Sequence, residues 1–176
     1  MKLLKPALAI ALLLGTLLLG GSLLLPPTTR VERVVVIDRP QAEVFARLDS
    51  LREFPRWSPW AQDDPDIRYT FSGPASGVGA KMEWSGNPAV GSGHQIIRRS
   101  EPYRLVAVEQ AFGGRVSLAT YTLSPGNGGT EVIWSIEMAH GLNPLSRWVG
   151  WMAAPMIGGD FERGLARLKA MLEAQD

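Results

Sequence analysis

His94 and His140 are the only histidines in this 176-residue sequence, and cysteine is absent. Only the two imidazoles therefore titrate near neutral pH without help from their surroundings. The missing thiols remove disulfides, thiol nucleophiles, iron–sulfur clusters and cysteine-ligated zinc together. His94 lies beside Ile96 in an alternating stretch. An imidazole there could orient a carbonyl or carry a proton, with Glu109 or Tyr121 of a neighbouring strand as partner. The competing reading of His94 is a hydrogen-bonded or half-exposed core residue. Glu109 interrupts an apolar run between Val108 and Gln110. Turned inward it must be paired, protonated or in contact with a ligand; turned outward it is a solvated charge. His140, before the last helix, reads as a surface or capping residue. The two histidines are too far apart for a zinc site, so no metal and no cofactor are expected. No serine stands in a G-x-S-x-G setting, and Gly77-x-Gly79 is too short for a phosphate loop.

The other chemical resource is aromatic. Of six tryptophans, Trp60, Trp84, Trp134, Trp148 and Trp151 fall on segments suited to a cavity wall. With Met82, His94, Met152, Met156 and Phe161 they form the candidate lining of an apolar pocket. Large aromatics also simply fill cores, and that reading applies to each of them singly. A tryptophan cage for a quaternary ammonium group lacks a carboxylate clearly beside it.

The elements that must position these residues follow from period and punctuation. Val31 to Ile37 is a β-branched strand, ended by Asp38-Arg39-Pro40, with Val44, Phe45 and Leu48 then at helical spacing. Ser50 and Glu53 form a possible capping box for a second short helix. Six strands follow over 67–72, 80–85, 93–100, 105–112, 116–124 and 130–138, separated by Gly, Pro and Asn turn residues. Connections this short require antiparallel neighbours. Asn143-Pro144 starts a last helix, which Pro155 and Gly158-Gly159 are expected to kink or break and Asp160 to recap. Phe161, Leu165, Leu168 and Leu172 line one face of its end. Strands followed by a helix make an α+β domain in which the helix covers the sheet.

Composition adds limits. The chain is 45% hydrophobic at a net charge of +1, which is incompatible with disorder. Lys2 and Lys5 precede an uncharged run over 7–25, and without them the balance tips slightly acidic. No basic stripe remains for nucleic acid. At 1.5 Å per residue the run spans roughly 28 Å, close to a bilayer core. It reads as a single-pass membrane anchor, with a cleaved secretory signal as the alternative, followed by a linker through residue 29 and a domain over 30–176. The lysines favour the amino terminus inside and the domain outside the cytoplasmic membrane.

Val34 to Pro40 with Val44-Phe45-Ala46, then Trp57-Ser58-Pro59-Trp60 and Tyr69 to Pro74, resemble the SRPBCC superfamily (START-like, Bet v 1-like). So do Gly77 to Ala80, Trp84 to Asn87, Val90 to Gly93 and Asp160 to Leu165. Within the superfamily the sequence is most similar to the polyketide cyclase/dehydrase and lipid transport group. The likeness runs over 31–174. It implies a helix-grip fold, a curved antiparallel β-sheet wrapped around a long C-terminal helix and enclosing an apolar cavity. Such folds host enzymes and carriers alike, so function must come from the site. Three readings follow. The first is membrane-anchored binding of a hydrophobic small molecule or lipid. The second is a cyclase, dehydratase or hydrolase using His94 as acid/base. The third is a ligand-free interaction domain of the cell envelope. In the first, Pro144 to Ile157 is a portal helix touching the bilayer with its tryptophans and methionines. Ligand identity and oligomeric state are not legible.

Overall fold

The computed structural model describes residues 4–174, with side chains from residue 12 onward except residue 14. Lys2, Lys5 and the first residues of the apolar run thus lie outside the described side chains. The chain forms α1 (Leu4–Leu24), β1 (Thr28–Ile37), α2 (Gln41–Leu48), α3 (Phe54–Trp57) and α4 (Trp60–Asp63). Then come β2 (Arg68–Ser72), β3 (Lys81–Ser85), β4 (Ser92–Glu101), β5 (Leu105–Phe112), β6 (Arg115–Gly126), β7 (Gly129–Ala139) and α5 (Pro144–Glu173). The sheet order is β1-β7-β6-β5-β4-β3-β2, antiparallel throughout. The meander from β2 to β7 is what its short turns dictate, and β1 closes the far edge beside β7. This is the α+β helix-grip arrangement, with α5 laid along the inner face.

Inner positions alternate along each strand. Val31 and Ile37, Val106 and Val108, Tyr121 and Leu123, and Val132, Trp134 and Ile136 are buried, as are Phe161, Leu165, Leu168 and Leu172 of α5. Asn143 caps α5, its side-chain oxygen accepting from Ser146 N at 3.1 Å.

Four local expectations differ from the structure. Thr28 and Thr29, read as linker, already pair with Ala139 and Met138. Ser50 does not close a capping box: its hydroxyl donates to Ala75 O, and Glu53 binds Arg47 and Arg56. Three short helices, not two, precede β2. Most consequentially, α5 runs unbroken through Pro155, Gly158 and Gly159, and Asp160 pairs with Arg163 at 2.5 Å instead of capping a new segment. Proline leaves only the Trp151 carbonyl without its intrahelical donor. Packing against β1 on both sides of that point holds the two halves in line.

For the leader, α1 reaches back to Leu4, but its described side chains cover only about 20 Å of helix. Among the described residues no helix is long and apolar enough to cross a membrane.

Candidate ligand-binding face

Between α5 and the sheet lies an aromatic cluster built by five elements. Trp134 of β7 is its centre. Its ring stacks on Phe161 of α5 at 3.9 Å and 8°, meets Trp57 of α3 edge-on at 5.5 Å, and lies 5.3 Å from Tyr121 of β6. Phe54 and Trp60 close the rim at 6.5 and 6.2 Å. Gly164 makes room, because a Cβ there would sit 2.9 Å from the Trp134 ring. The edge-on geometries suit the aromatic quadrupole.

Two polar groups of the cluster are unmatched. Trp134 is 2% exposed and Trp57 1%, yet among the described residues neither indole Nε1–H has a hydrogen-bond acceptor. A buried donor left unpaired costs about 1–3 kcal/mol. Burial alone pushes the Tyr121 phenol well above its ordinary value, so it stays a neutral hydroxyl. Farther along the same face, Gln95 of β4 is buried and donates to Gln110 Oε1 of β5 at 3.2 Å. Trp84 stacks on Phe112 at 6.3 Å. Gly93 permits this, since a Cβ on it would lie 2.5 Å from the Trp84 ring.

The residues singled out from the sequence fall into three places. Trp60, Met82, Trp84, Trp134 and Phe161 share the inner face, with Met82 fully buried beneath it. Trp148, Trp151, Met152 and Met156 belong instead to the first half of α5. There Trp148 donates to Leu18 O of α1 at 3.0 Å, and the other three are exposed. His94 lies on the outer face, because Gln95 and Ile97 take the buried phase of β4. Glu109 shares that outer face and pairs with Arg98 at 2.7 Å, which holds its carboxyl below the usual range. Tyr121 points the other way, into the cluster. The sheet thus separates His94 and Glu109 from Tyr121, and the three do not converge on a substrate.

Sequence reasoning missed Trp57, Phe54 and the Gln95–Gln110 pair. Leu51, Phe54 and Trp57 recur every three residues, one helical face, and that spacing was the available signal. It also missed the burial of His140. Its Nε2 lies 2.9 Å from Thr29 Oγ1 and its Nδ1 3.2 Å from Ser146 Oγ, joining β1 to α5. Burial, with Arg115 and Arg147 adding to it, lowers the His140 pKa. A separate open groove of about 500 Å³ runs between α2 and the β5–β6 ladder, lined by Gln41, Glu101, Arg104 and Leu123 among others. Among the described residues no three histidine or carboxylate side chains gather as a metal site would need.

A profile of the family described as polyketide cyclase/dehydrase and lipid transport matches residues 28–173. The chain belongs to that family. No curated protein matches its sequence. Among solved structures it is similar to a protein of Rhodobacter sphaeroides, at 21% identity over 84% of this chain and 94% of that one, with a TM-score of 0.62. The Aha1 protein of Colwellia psychrerythraea matches at 17% identity over 82% and 96% of the two chains, TM-score 0.59. The di-domain ARO/CYC protein StfQ of the steffimycin biosynthetic pathway matches at 10% identity, TM-score 0.61, over 84% of this chain and 51% of that one. At these identities the structural likenesses establish the fold. In this family the SRPBCC-type fold is tied to ligand binding or cyclase roles.

Proposed function

We propose that this family member binds a hydrophobic small molecule or lipid bearing a hydrogen-bond acceptor on the inner face of its sheet, under α5, and does so at a membrane. The observation that carries this reading is the pair of indole N–H groups of Trp57 and Trp134, without acceptors among the described residues, on rings that both pack against the Tyr121 ring. Two unpaired donors in an apolar, aromatic setting match a carbonyl, ether or carboxyl oxygen on an otherwise apolar molecule. An acid–base reaction through His94 has no such support, since the sheet lies between it and Tyr121.

Membrane attachment rests on α1. The Arg147 guanidinium is buried and donates to Ser22 O at 3.1 Å, Leu25 O at 3.3 Å and Gly141 O at 2.7 Å. Free carbonyls at a helix C-terminus carry partial negative charge, so a buried cation there both caps α1 and clamps it to α5. Cleavage just after Ser22 would remove Ser22 O from Arg147 and Leu18 O from Trp148, which favours a retained anchor over a removed signal. With Lys2 and Lys5 inside, the domain stands on the outer side of the cytoplasmic membrane.

The test is native mass spectrometry of the full chain released from detergent micelles, with an apolar ligand of defined mass copurifying. Trp57→Phe and Trp134→Phe, which keep the rings but delete the donors, should each reduce its retention about tenfold, the factor equivalent to roughly 1.4 kcal/mol. Protein that carries no such molecule, and whose tryptophan emission is unmoved by apolar ketones or fatty acids, would end this reading.

A further inference from the structure

The two halves of α5 turn their apolar sides in opposite directions. Leu145, Val149, Met152 and Met156 recur at steps of four, three and four, as do Phe161, Leu165, Leu168 and Leu172. At about 100° per residue the second set begins roughly 160° around the helix from the first. The second set is buried against the sheet, whereas Leu145, Met152 and Met156 are 72, 65 and 74% exposed. The wall-facing side of the first half is built from Arg147, Gly150, Ala154 and Gly158, and the two glycines let the helix lie close to β1. Past Pro155 the outward side becomes polar, with Arg163 ion-paired there to Asp160. A helix packed on one side only should carry polar residues outward along its whole length.

What this stripe adjoins identifies its partner. Trp148 lies one turn from Leu145 and Met152 and seats its ring against Gly21 of α1, whose Leu17, Leu18, Leu23 and Leu24 are exposed in turn. The apolar surface is therefore continuous from the leucine-rich helix to α5, and the Arg147 guanidinium on the opposite side of α5 is buried on backbone carbonyls. The β5–β6 turn runs on past the Leu118–Glu137 pair to the same end of β7, where Arg115 and Val116 are exposed. A cation beside apolar side chains, next to an aromatic, matches the boundary between lipid headgroups and acyl chains.

We infer that the first half of α5 is a membrane-interface element that lies in the headgroup–acyl boundary beside α1 and places the near end of the ligand face against lipid. This rests on the membrane reading above and extends it, since a tether alone leaves α5 in water.

The absence of cysteine permits a direct test. Met152→Cys, Met156→Cys and, as a control on the outward side of the second half, Ala170→Cys are made singly in the full chain and labelled with an environment-sensitive dye. All three positions are exposed, so folding is preserved. The proteins are reconstituted into vesicles of phosphatidylethanolamine and phosphatidylglycerol with or without a nitroxide lipid. An interfacial helix sits about 5–10 Å deep, so dye at 152 and 156 should be quenched about twofold or more by a shallow nitroxide, and dye at 170 left bright. Protein that floats with vesicles while its 152 dye ignores the nitroxide and is quenched by iodide overturns this inference alone and leaves the tether standing. Dye shielded from both quenchers means a second copy covers the stripe, which also overturns it. Protein that fails to float overturns the inference and the membrane reading together.

Discussion

Gly150 and Gly159 occupy the same helix, yet alanine should have opposite effects at the two. Replacing a helix-interior glycine by alanine gains about 0.8–1 kcal/mol from propensity alone. At Gly159 nothing lies within 4 Å of the added Cβ, so Gly159→Ala should realise most of that gain. At Gly150 the Cβ would sit 2.2 Å from His140 Nε2 and 2.3 Å from its Cε1. The imidazole must retreat by more than about an ångström to reach ordinary contact, which breaks its 2.9 Å bond to Thr29 and disturbs the 3.2 Å contact with Ser146. Losing a net hydrogen bond costs about 1 kcal/mol, and overpacking about 1–3 more. Against the propensity gain, Gly150→Ala should lose about 1–3 kcal/mol. For a chain of this size each kcal/mol moves Tm by about 2–4 °C. Urea unfolding of the full chain in one detergent, followed by tryptophan emission, reads both variants against wild type. Gly150→Ala equal to or more stable than Gly159→Ala would refute the close docking of α5 on β1 through His140.

The remaining predictions concern single groups. The unfolded chain titrates its histidine near 6.5 and folded His140 titrates lower. The neutral form is thus the stabilised one: stability is full above that value and falls as acid takes pH down through the folded pKa. Urea midpoints measured between about pH 8 and 5 should decline across this window, and His140→Gln should flatten the decline. Arg147→Met removes charge-assisted bonds to three carbonyls and should cost about 1.5–3 kcal/mol. It should also free α1 from α5, seen as faster proteolysis between residues 18 and 27. His94→Ala, on the outer face, should leave the copurifying ligand unchanged in native mass spectra; loss of the ligand would restore the imidazole to the binding chemistry.

How much of this was legible beforehand depended on whether a signal was local. β2 to β7 were bounded by glycine, proline and asparagine and carried period-two patterns, so their order and antiparallel pairing were readable within a residue or two. His94 was not. In the run His94-Gln95-Ile96-Ile97-Arg98-Arg99 each phase holds one isoleucine, so alternation does not choose a face, and the register shift between Ile97 and Arg99 blurs it further. Only the packing of the inner face decided that Gln95 and Ile97 turn inward. Pro155 misled for a related reason. Its cost is local and predictable, whereas the contacts with β1 that keep α5 straight come from far along the chain.

By itself the sequence determined the α+β class, the antiparallel meander of β2 to β7, the capped start of α5, the family and an apolar leader, because each rests on short-range period, turn chemistry or composition. Tertiary structure decided which rings meet. It put Trp57 and Trp134 together with unmatched N–H groups, sent His94 to the far side of the sheet, and turned Met152 and Met156 outward. Those outcomes depend on which element covers which face, and a side chain's neighbours across a sheet are set by residues far away in sequence.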